Sequence, residues 1–202
     1  MPINRKFFYD FVRSHLFDGT LKQKQVDGLN VLLDYWDQEM ADEDDRWLAY
    51  VLATTHHEVD RSMQPIREVG SASYFRRRYD IEGERPKVAR QLGNLQPGDG
   101  AKYYGRGFVQ LTGRKNYQDW SERLGVKLTA NPDLALDTQI ATRIIFEGMR
   151  LGTFTGKKLG HYFNDKKEDW VNARRIINGV DKANLIAGYA RQYYAAISYT
   201  TG

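Results

Sequence analysis

The sequence contains no cysteine, which excludes disulfide bonds and is compatible with synthesis in the cytosol. It also contains no run of eighteen apolar residues, the length that a membrane-spanning helix needs. The nucleotide-binding patterns G-x-x-x-x-G-K-[ST] and G-x-G-x-x-G are missing, although the chain has 18 glycines. Internal repeats and low-complexity tracts are absent as well. These absences disfavour a membrane span, a nucleotide site and a repeat architecture.

The composition is that of one ordinary soluble domain. With 202 residues, of which 41% are hydrophobic and 28% charged, the chain can bury a core without disulfides or a structural metal. Its net charge of +4 and its pI near 9.1 suit an anionic polymer, such as a bacterial cell wall or nucleic acid, and equally plain solubility. Apolar residues from Phe7 to Leu16 alternate with charges, which predicts an amphipathic helix rather than a signal peptide.

Apolar residues recur at steps of three and four along most of the chain, which predicts a mainly α-helical fold. Besides the N-terminal helix, this pattern covers residues 22–40, 42–64, 84–92, 115–124, 138–151, 168–178 and 183–198. Between Val69 and Gly107, glycines and prolines predict a long irregular region in which only 84–92 is helical. A connection of that length often forms a lid or the wall of a binding cleft.

The strongest candidates for chemistry lie between Asp42 and Glu68. Acidic residues mark the start of this helix, and Pro65 predicts its end between Ser62 and Gln64. Glu58 falls at the edge of the apolar stripe, and the break at Pro65 lets Glu68 fold back toward it. Two carboxyl groups that face each other across ~6.5–9.5 Å leave room for a water molecule, the geometry of an inverting glycosidase.

Two other interpretations of the same segment stay open. Glu58 and Glu68 could be surface carboxylates that pair with Arg61 and Arg67. The two histidines before Glu58 could bind a metal, but a zinc helix carries its histidines four residues apart. Because the chain has only four histidines and no cysteine, we expect no metal site.

In the segment from Tyr103 to Tyr117, apolar residues alternate with Gln110 and Thr112, which predicts a short extended stretch. Amide and hydroxyl side chains beside an aromatic ring suit a neutral, hydroxyl-rich sugar. A glycine-turned hairpin that carries surface polar groups is the simpler alternative.

Several short motifs occur in one order between about residues 45 and 180. They are His57-Glu58, the downstream Glu68, the stretch G-R-G-F-V-Q-L-T-G-R-K-N-Y at 105–117, Asn131-Pro132-Asp133-Leu134, and Ile177-Asn178-Gly179. This order resembles glycoside hydrolase family 19, which contains chitinases and many bacteriophage endolysins. The G-R-G-x-x-Q-L-[TS] stretch is the most specific of the motifs. Short loops, together with residues 93–100, resemble the endolysin branch.

The resemblance implies a mainly α-helical, two-lobed fold like that of lysozymes, with a small extended segment at the cleft. It implies one catalytic domain over 1–202, made of a larger helical lobe and a smaller loop-rich lobe around 66–106. It also implies an inverting mechanism without a cofactor, in which Glu58 is the general acid and Glu68 the base that activates water. Thr112 would help to hold that water. The residues implied to bind sugar are Tyr104, Gln110, Asn116 and Asn178.

The expected function is therefore that of a peptidoglycan-degrading glycosidase, a muramidase-type endolysin that hydrolyses β-1,4 bonds of the bacterial cell wall. A chitinase that cleaves β-1,4-linked N-acetylglucosamine polymers is the alternative with the same chemistry. An inactive wall-binding or phage-tail structural module is a third possibility, suggested only by the bulky and charged residues 59–61 that follow Glu58.

The expected partner is a polysaccharide, peptidoglycan or a chitin-like polymer, and not nucleic acid. We expect a monomer without stable insertion into a membrane and without a separate wall-binding domain. The protein is expected to be made in the host cytoplasm without a signal peptide, and to reach the wall after holin release.

Overall fold

A computed structural model describes residues 3–198, and within this range the chain is mainly helical. The α-helices are α1 (Arg5–Leu16), α2 (Gln23–Glu39), α3 (Asp45–Glu58), α4 (Ala72–Tyr79), α5 (Pro86–Gln91), α6 (Asp99–Lys102), α7 (Arg114–Leu124), α8 (Thr138–Leu151) and α9 (Ala183–Ile197). Two antiparallel pairs of short strands join β1 (Ile66–Arg67) to β2 (Arg106–Gly107) and β3 (Phe163–Asn164) to β4 (Lys167–Glu168). Single 3₁₀ turns occupy Pro132–Leu136, Leu159–His161 and Asn172–Ile176. The mainly α-helical fold class is confirmed.

The chain divides into two compact units. Unit 1 comprises the described residues of Met1–Gln64 and Thr142–Gly202, and unit 2 comprises Pro65–Ala141.

Three predictions of secondary structure are wrong. Residues 69–107 were expected to be helical only at 84–92, but α4 and α6 lie in this region as well. Ser71 caps α4 by accepting a hydrogen bond from Tyr74 N, and Phe75 is its only buried residue. One buried residue in eight leaves no periodic stripe to detect. The predicted helix at 168–178 is instead the end of β4 followed by the 3₁₀ turn Asn172–Ile176.

α3 also ends earlier than Pro65 predicts, because a Schellman motif closes it at Val59. The backbone N–H of Arg61 donates to His56 O at 2.8 Å, and that of Asp60 donates to His57 O at 3.3 Å. Asp60 takes the left-handed conformation that glycine usually supplies there, with φ of 46°. The chain therefore turns directly after Glu58.

α2 supports this turn. Gln25 Nε2 donates to Arg61 O at 2.9 Å. Gly28 approaches the turn so closely that a Cβ atom on it would lie 1.7 Å from Met63 O. Only glycine fits at that position. The residues that follow Glu58 are thus held by contacts inside unit 1.

α3 lies at the centre of unit 1. The nine residues from Leu48 to His56 are all buried, so the helix is enclosed on every side, whereas its apolar stripe predicts one buried face. α9 is its principal neighbour, and α1 also packs against α9. Ala49 and Ala53 are among the fully buried residues of α3. The core therefore fixes the position of the last turn of α3, which carries Glu58.

His56 is a buried histidine within this core. Its Nδ1 lies 3.0 Å from the hydroxyl of Tyr193, and its ring contacts those of Phe17 and Tyr189. Its Nε2 has no hydrogen-bond partner within residues 3–198. Burial, and then the charges of Arg61 and His57, lower the pKa of His56 from 6.5 to about 4.

This pKa predicts a loss of stability in acid. Above about pH 6.5, His56 is neutral in both the folded and the unfolded chain, so its titration does not change the free energy of unfolding. As the pH falls from 6.5 to 4, the unfolded chain binds a proton that the folded chain excludes, so the folded state loses up to roughly 3 kcal/mol. Urea unfolding at a series of pH values measures this loss. His56→Gln should flatten the slope between pH 6.5 and 5. An unchanged slope in His56→Gln would contradict the prediction.

In unit 2, buried polar residues fasten the loop between α5 and α6. Asp99 pairs with Arg114 and accepts hydrogen bonds from Leu95 N and Gln96 N, both at 3.1 Å. Burial opposes ionisation of Asp99, but these donors hold its pKa below the usual range. The buried Asn94 donates to Tyr79 O at 2.9 Å and accepts from Arg114 N at 2.8 Å. The loop thereby joins the end of α4 to the start of α7.

The short ladder of β1 and β2 is reinforced by Asp133. Its two oxygens accept hydrogen bonds from Arg67 Nη2 at 2.7 Å and from Arg106 Nε at 2.8 Å. These arginines are paired across the ladder. Arg106 and Leu111 also exchange backbone hydrogen bonds, so the predicted extended stretch is a tight hairpin. Asp133, which the sequence places in a turn, therefore holds the ladder that leads into Glu68.

Candidate active site

Glu58, the predicted acid, is the last residue of α3 and belongs to unit 1. Its Oε1 lies 2.5 Å from Arg174 Nη1, and the two side chains are 19% and 5% exposed, respectively. A nearly buried guanidinium holds its carboxylate partner in one geometry and stabilises its negative charge. Sequence reasoning did not find Arg174, which lies in the 3₁₀ turn Asn172–Ile176.

The backbone around Arg174 brings the predicted sugar ligand Asn178 into the same part of unit 1. Asn178 N donates to Arg174 O at 3.1 Å, and Arg174 Nε donates to Asp181 O at 3.2 Å. The Asn178 side chain is exposed, and its Oδ1 accepts a hydrogen bond from Gly179 N at 2.8 Å. Asn178 therefore lies one turn from the residue that binds Glu58.

Glu68, the predicted base, follows β1 in unit 2. Its Oε1 accepts a hydrogen bond from the Tyr79 hydroxyl at 2.8 Å, and its Oε2 accepts one from Gly105 N at 3.2 Å. Two donated hydrogen bonds stabilise the anionic carboxylate, which is the form that a general base needs. Burial, and then the hydrogen bond to Glu68, raise the pKa of Tyr79, so its phenol stays a donor.

Three predicted site residues meet around Gly105. A Cβ atom on Gly105 would lie 2.8 Å from Gln110 Oε1, 3.1 Å from Glu68 Oε2 and 3.2 Å from Thr112 Oγ1. Gln110 has a left-handed backbone, with φ of 52°, and its Nε2 donates to Ile66 O at 3.2 Å and Gly107 O at 3.3 Å. Such backbone strain is often kept at functional sites. A carboxylate, an amide oxygen and a hydroxyl thus surround one point on the backbone.

This crowding predicts that Gly105→Ala lowers activity more than stability. The added methyl group must displace the ends of Gln110 and Glu68, which are flexible, so the fold should be kept. A displacement of about 1 Å in a catalytic group can reduce the rate about 100-fold. The measurements are kcat on cell walls and the melting temperature.

Gly188→Ala is the control for this prediction, because a Cβ atom at that position in α9 meets nothing within 4 Å. Wild-type activity in Gly105→Ala, with the fold intact, would show that the groups around Gly105 do not need their present arrangement.

Tyr104 is held between two neighbours in unit 2. Its ring stacks on Phe75 with centroids 4.2 Å apart, and the Arg106 guanidinium lies 3.8 Å from the ring centroid. Its carbonyl oxygen accepts hydrogen bonds from Arg106 Nη1 at 2.9 Å and from the Tyr117 hydroxyl at 3.0 Å. Asn116 donates to Thr112 O at 2.6 Å. These contacts make the residues around Thr112 rigid, which suits a preformed binding surface.

The structure therefore gathers Glu68, Thr112, Gln110, Tyr104 and Asn116 in unit 2, and it places Glu58 and Asn178 in unit 1. The structure does not show the alternative in which Glu58 and Glu68 pair with Arg61 and Arg67. Arg61 pairs with Asp18 at 2.7 Å, and Arg67 pairs with Asp133.

Sequence reasoning also missed Tyr79 and Gly105, which bind the Glu68 carboxylate. Gly105 is the first residue of the G-R-G-x-x-Q-L-T stretch, so this motif could have indicated that Gly105 belongs to the site. For Tyr79, no local pattern indicates a contact with Glu68, because the helix that carries it was not predicted.

Within residues 3–198, no group of three or more His, Cys, Asp and Glu side chains is arranged to hold a metal ion. The helices in this range are too short or too polar to cross a bilayer.

Comparisons with known proteins point to one family. The sequence profile of chitinase class I, glycoside hydrolase family 19, matches residues 37–148. This range includes Glu58, Glu68 and the residues around Gly105, whereas Arg174 and Asn178 lie outside it. Chitinase 8 of Oryza sativa subsp. japonica is 59% identical over 32 residues, a match that spans 16% of this chain and only 12% of that relative.

Two solved structures have a similar fold. Chitinase C from Streptomyces griseus HUT6037 matches with a TM-score of 0.63 and 21% identity, over 99% of this chain and 78% of its own. A bacterial family 19 chitinase matches with a TM-score of 0.54 and 17% identity, over 100% of this chain and 98% of its own. At these identities, the likeness establishes the fold.

Proposed function

The chain belongs to glycoside hydrolase family 19, and from that membership we propose that it hydrolyses β-1,4 glycosidic bonds of bacterial peptidoglycan by an inverting acid/base mechanism. Glu58 is the general acid and Glu68 is the general base. The family assignment supports both roles, and the two donors that hold the Glu68 carboxylate support its role as the base.

In the proposed reaction, Glu68 removes a proton from a water molecule as the water oxygen bonds to the anomeric carbon. The bond from that carbon to the glycosidic oxygen breaks, and Glu58 gives its proton to the departing oxygen. Thr112 donates to Gln110 O at 2.8 Å, which leaves the lone pairs of its oxygen available to hold the attacking water. Tyr79 and Gly105 keep the Glu68 carboxylate in place before the proton arrives.

Arg174 has a specific part in this scheme. When Glu58 has given up its proton, the carboxylate that remains is next to the Arg174 guanidinium. This interaction is stronger in the transition state, where negative charge develops on Glu58, than when Glu58 is protonated. It therefore lowers the barrier instead of only binding substrate. Arg174 is a positioning residue, since it acts through Glu58.

The charge distribution is the single observation that favours peptidoglycan over chitin. Unit 2 contains 13 Lys and Arg residues against 9 Asp and Glu, a surplus of four that equals the +4 of the whole chain. Unit 1 is therefore neutral overall. Peptidoglycan carries free carboxylates on its peptides, whereas chitin is uncharged. The basic unit 2, which contains the proposed base Glu68, therefore attracts peptidoglycan.

Chitinase activity is the second candidate, because the rice relative and the two bacterial structures are named chitinases. Both substrates would use the same carboxylates. The endolysin role, with release to the wall through a holin, is part of the proposal and is supported by the resemblance of the short loops to that branch of the family.

Digestion of purified peptidoglycan and of chitin oligomers tests the proposal. The products are reduced with borohydride, and mass spectrometry identifies the sugar at each new reducing end. Reduced muramic acid ends are expected. Reduced glucosamine ends would indicate a glucosaminidase, and cleavage of chitin alone would favour a chitinase. Wall binding without any cleavage would indicate an inactive module.

A further inference from the structure

Unit 2 contains a cavity of about 760 Å³ at the C-terminal end of α4. Its walls carry charges of both signs, from Arg76, Arg77, Asp80, Glu82 and Glu84. None of the residues proposed for catalysis is among the lining residues. The size falls within the range of cavities that bind small organic molecules or short peptides.

Asp80 provides an acidic group beneath this cavity. Its side chain is 4% exposed, and its Oδ2 accepts hydrogen bonds from Gly98 N at 2.7 Å and Gly100 N at 3.3 Å. Its Oδ1 is buried and has no hydrogen-bond partner within residues 3–198. Buried polar oxygens without a partner are uncommon, since their desolvation is not compensated. Two backbone N–H groups therefore hold the Asp80 carboxylate in place, but only one of its two oxygens accepts a hydrogen bond from the described residues.

The cationic side of the cavity comes from α4. Arg77 pairs with Glu84 at 3.6 Å, and both side chains are largely exposed. The exposed Arg76 guanidinium has no ion pair or hydrogen bond within the described part of the chain. Gly83 packs directly on the end of α4, because a Cβ atom on it would lie 2.4 Å from Arg77 O and 2.5 Å from Arg76 O. The backbone that presents Arg76 is therefore rigid, and its charge is available to a ligand.

We propose that this cavity binds a short peptide that bears both free carboxylates and a free amino group, as the stem peptide of peptidoglycan does. Arg76 binds a carboxylate of the peptide through its planar guanidinium. Glu82, with Asp80 beneath it, attracts the ammonium group. A neutral N-acetylated sugar chain has neither group, so the cavity recognises the peptide branch. This inference rests on the proposed function, and it names the part of the cell wall that the cavity recognises.

The cavity also adjoins, along the chain, a residue that contacts Glu68. Asp80 directly follows Tyr79, whose hydroxyl binds Glu68 Oε1, and adjacent Cα atoms are about 3.8 Å apart. An extended stem of four residues reaches about 13 Å. In the proposed complex, a peptide attached to a sugar at Glu68 extends past Tyr79 toward the cavity.

Calorimetric titration tests the site without reference to hydrolysis. The probe is the free tetrapeptide L-Ala-γ-D-Glu-meso-diaminopimelate-D-Ala, with chitotetraose as the neutral control. We expect the wild type to bind the peptide, and Arg76→Ala and Glu82→Gln each to weaken that binding about tenfold. Arg90→Ala, which removes an exposed arginine of α5 outside the cavity, should bind like the wild type. No binding by the wild type, or equal weakening by Arg90→Ala, would overturn the proposal.

Hydrolysis separates this proposal from the proposed function. Intact peptidoglycan should be cleaved faster than glycan strands stripped of their peptides by an amidase, and Arg76→Ala should remove that difference while still cleaving stripped strands. If cleavage does not depend on the peptides and the peptide does not bind, the peptide site is wrong and the glycosidase function stands. If the peptide binds but neither glycan is cleaved, the glycosidase function is wrong and the peptide site stands.

Discussion

We expect Glu58→Gln to lower kcat on peptidoglycan by about 1,000-fold, because the amide cannot donate the proton that the departing sugar oxygen needs. The loss should disappear with a substrate whose leaving group is stable as an anion, such as a nitrophenyl glycoside of the same sugar. Such a leaving group departs without a proton, so the general acid is no longer required. The measurement is kcat for wild type and variant on both substrates.

The structure supplies a matched control for this variant. Glu147 of α8 is also in unit 1 and is 18% exposed, close to the 19% of Glu58, but its partner Arg143 is at 3.5 Å and is itself 43% exposed. Loss of the charge at Glu58 leaves the nearly buried Arg174 with a neutral partner, so Glu58→Gln should also cost about 1–3 kcal/mol of stability. Urea unfolding of both variants separates this cost from the loss of activity. Near-full activity in folded Glu58→Gln would refute its role as the acid.

Glu68→Gln should reduce kcat by a comparable factor, about 1,000-fold, because an amide cannot take a proton from water. In contrast to Glu58→Gln, this loss should persist with a nitrophenyl glycoside, since the attack of water still lacks its base. The variant also has only one oxygen, so either Tyr79 or Gly105 N faces an NH₂ group instead of an acceptor. A moderate decrease in the melting temperature is therefore expected as well.

Chemical rescue distinguishes a base from a structural carboxylate. Glu68→Ala leaves space for azide, whose nitrogen can bond to the anomeric carbon while the glycosidic bond breaks. An inverting enzyme should then form the α-glycosyl azide from a β-linked substrate, with Glu58 still protonating the leaving oxygen. Glu122→Gln, an exposed carboxylate of α7 in the same unit, is the control and should behave as wild type. No azide product, together with wild-type kcat in Glu68→Gln, would remove Glu68 from the mechanism.

The regular helices were predictable because their apolar residues repeat with the period of a buried face. The pattern at 138–151 coincides with α8. Those at 115–124 and 183–198 differ from α7 and α9 by one residue at one end, and that at 22–40 differs from α2 by one residue at each end. The pattern failed at α4, where three consecutive arginines and a single buried phenylalanine hide the period. It failed again at 168–178, where the chain forms the end of β4 and the 3₁₀ turn Asn172–Ile176 instead of a helix.

The candidate carboxylates were first indicated by the apolar stripe before Glu58 and the break at Pro65, and the ordered motifs then raised them above the alternative of surface carboxylates. Glu58 and Glu68 occur in motifs that the family profile covers, so the sequence was sufficient to name them as candidates. The groups that bind them were not predictable. Glu58 and Arg174 are 116 residues apart in the chain, and no local rule relates them.

The sequence by itself determined the helical class, the family and the identity of the two candidate carboxylates. These depend on the period of apolar residues and on the order of motifs, which can be read directly from the sequence. Only the tertiary structure decided that Arg174 binds Glu58, that Tyr79 and Gly105 bind Glu68, and that Asp80 lies beneath a cavity lined by both signs of charge. Such contacts depend on which distant segments pack together, because the free energy of burial is set by the whole core and not by neighbours in sequence.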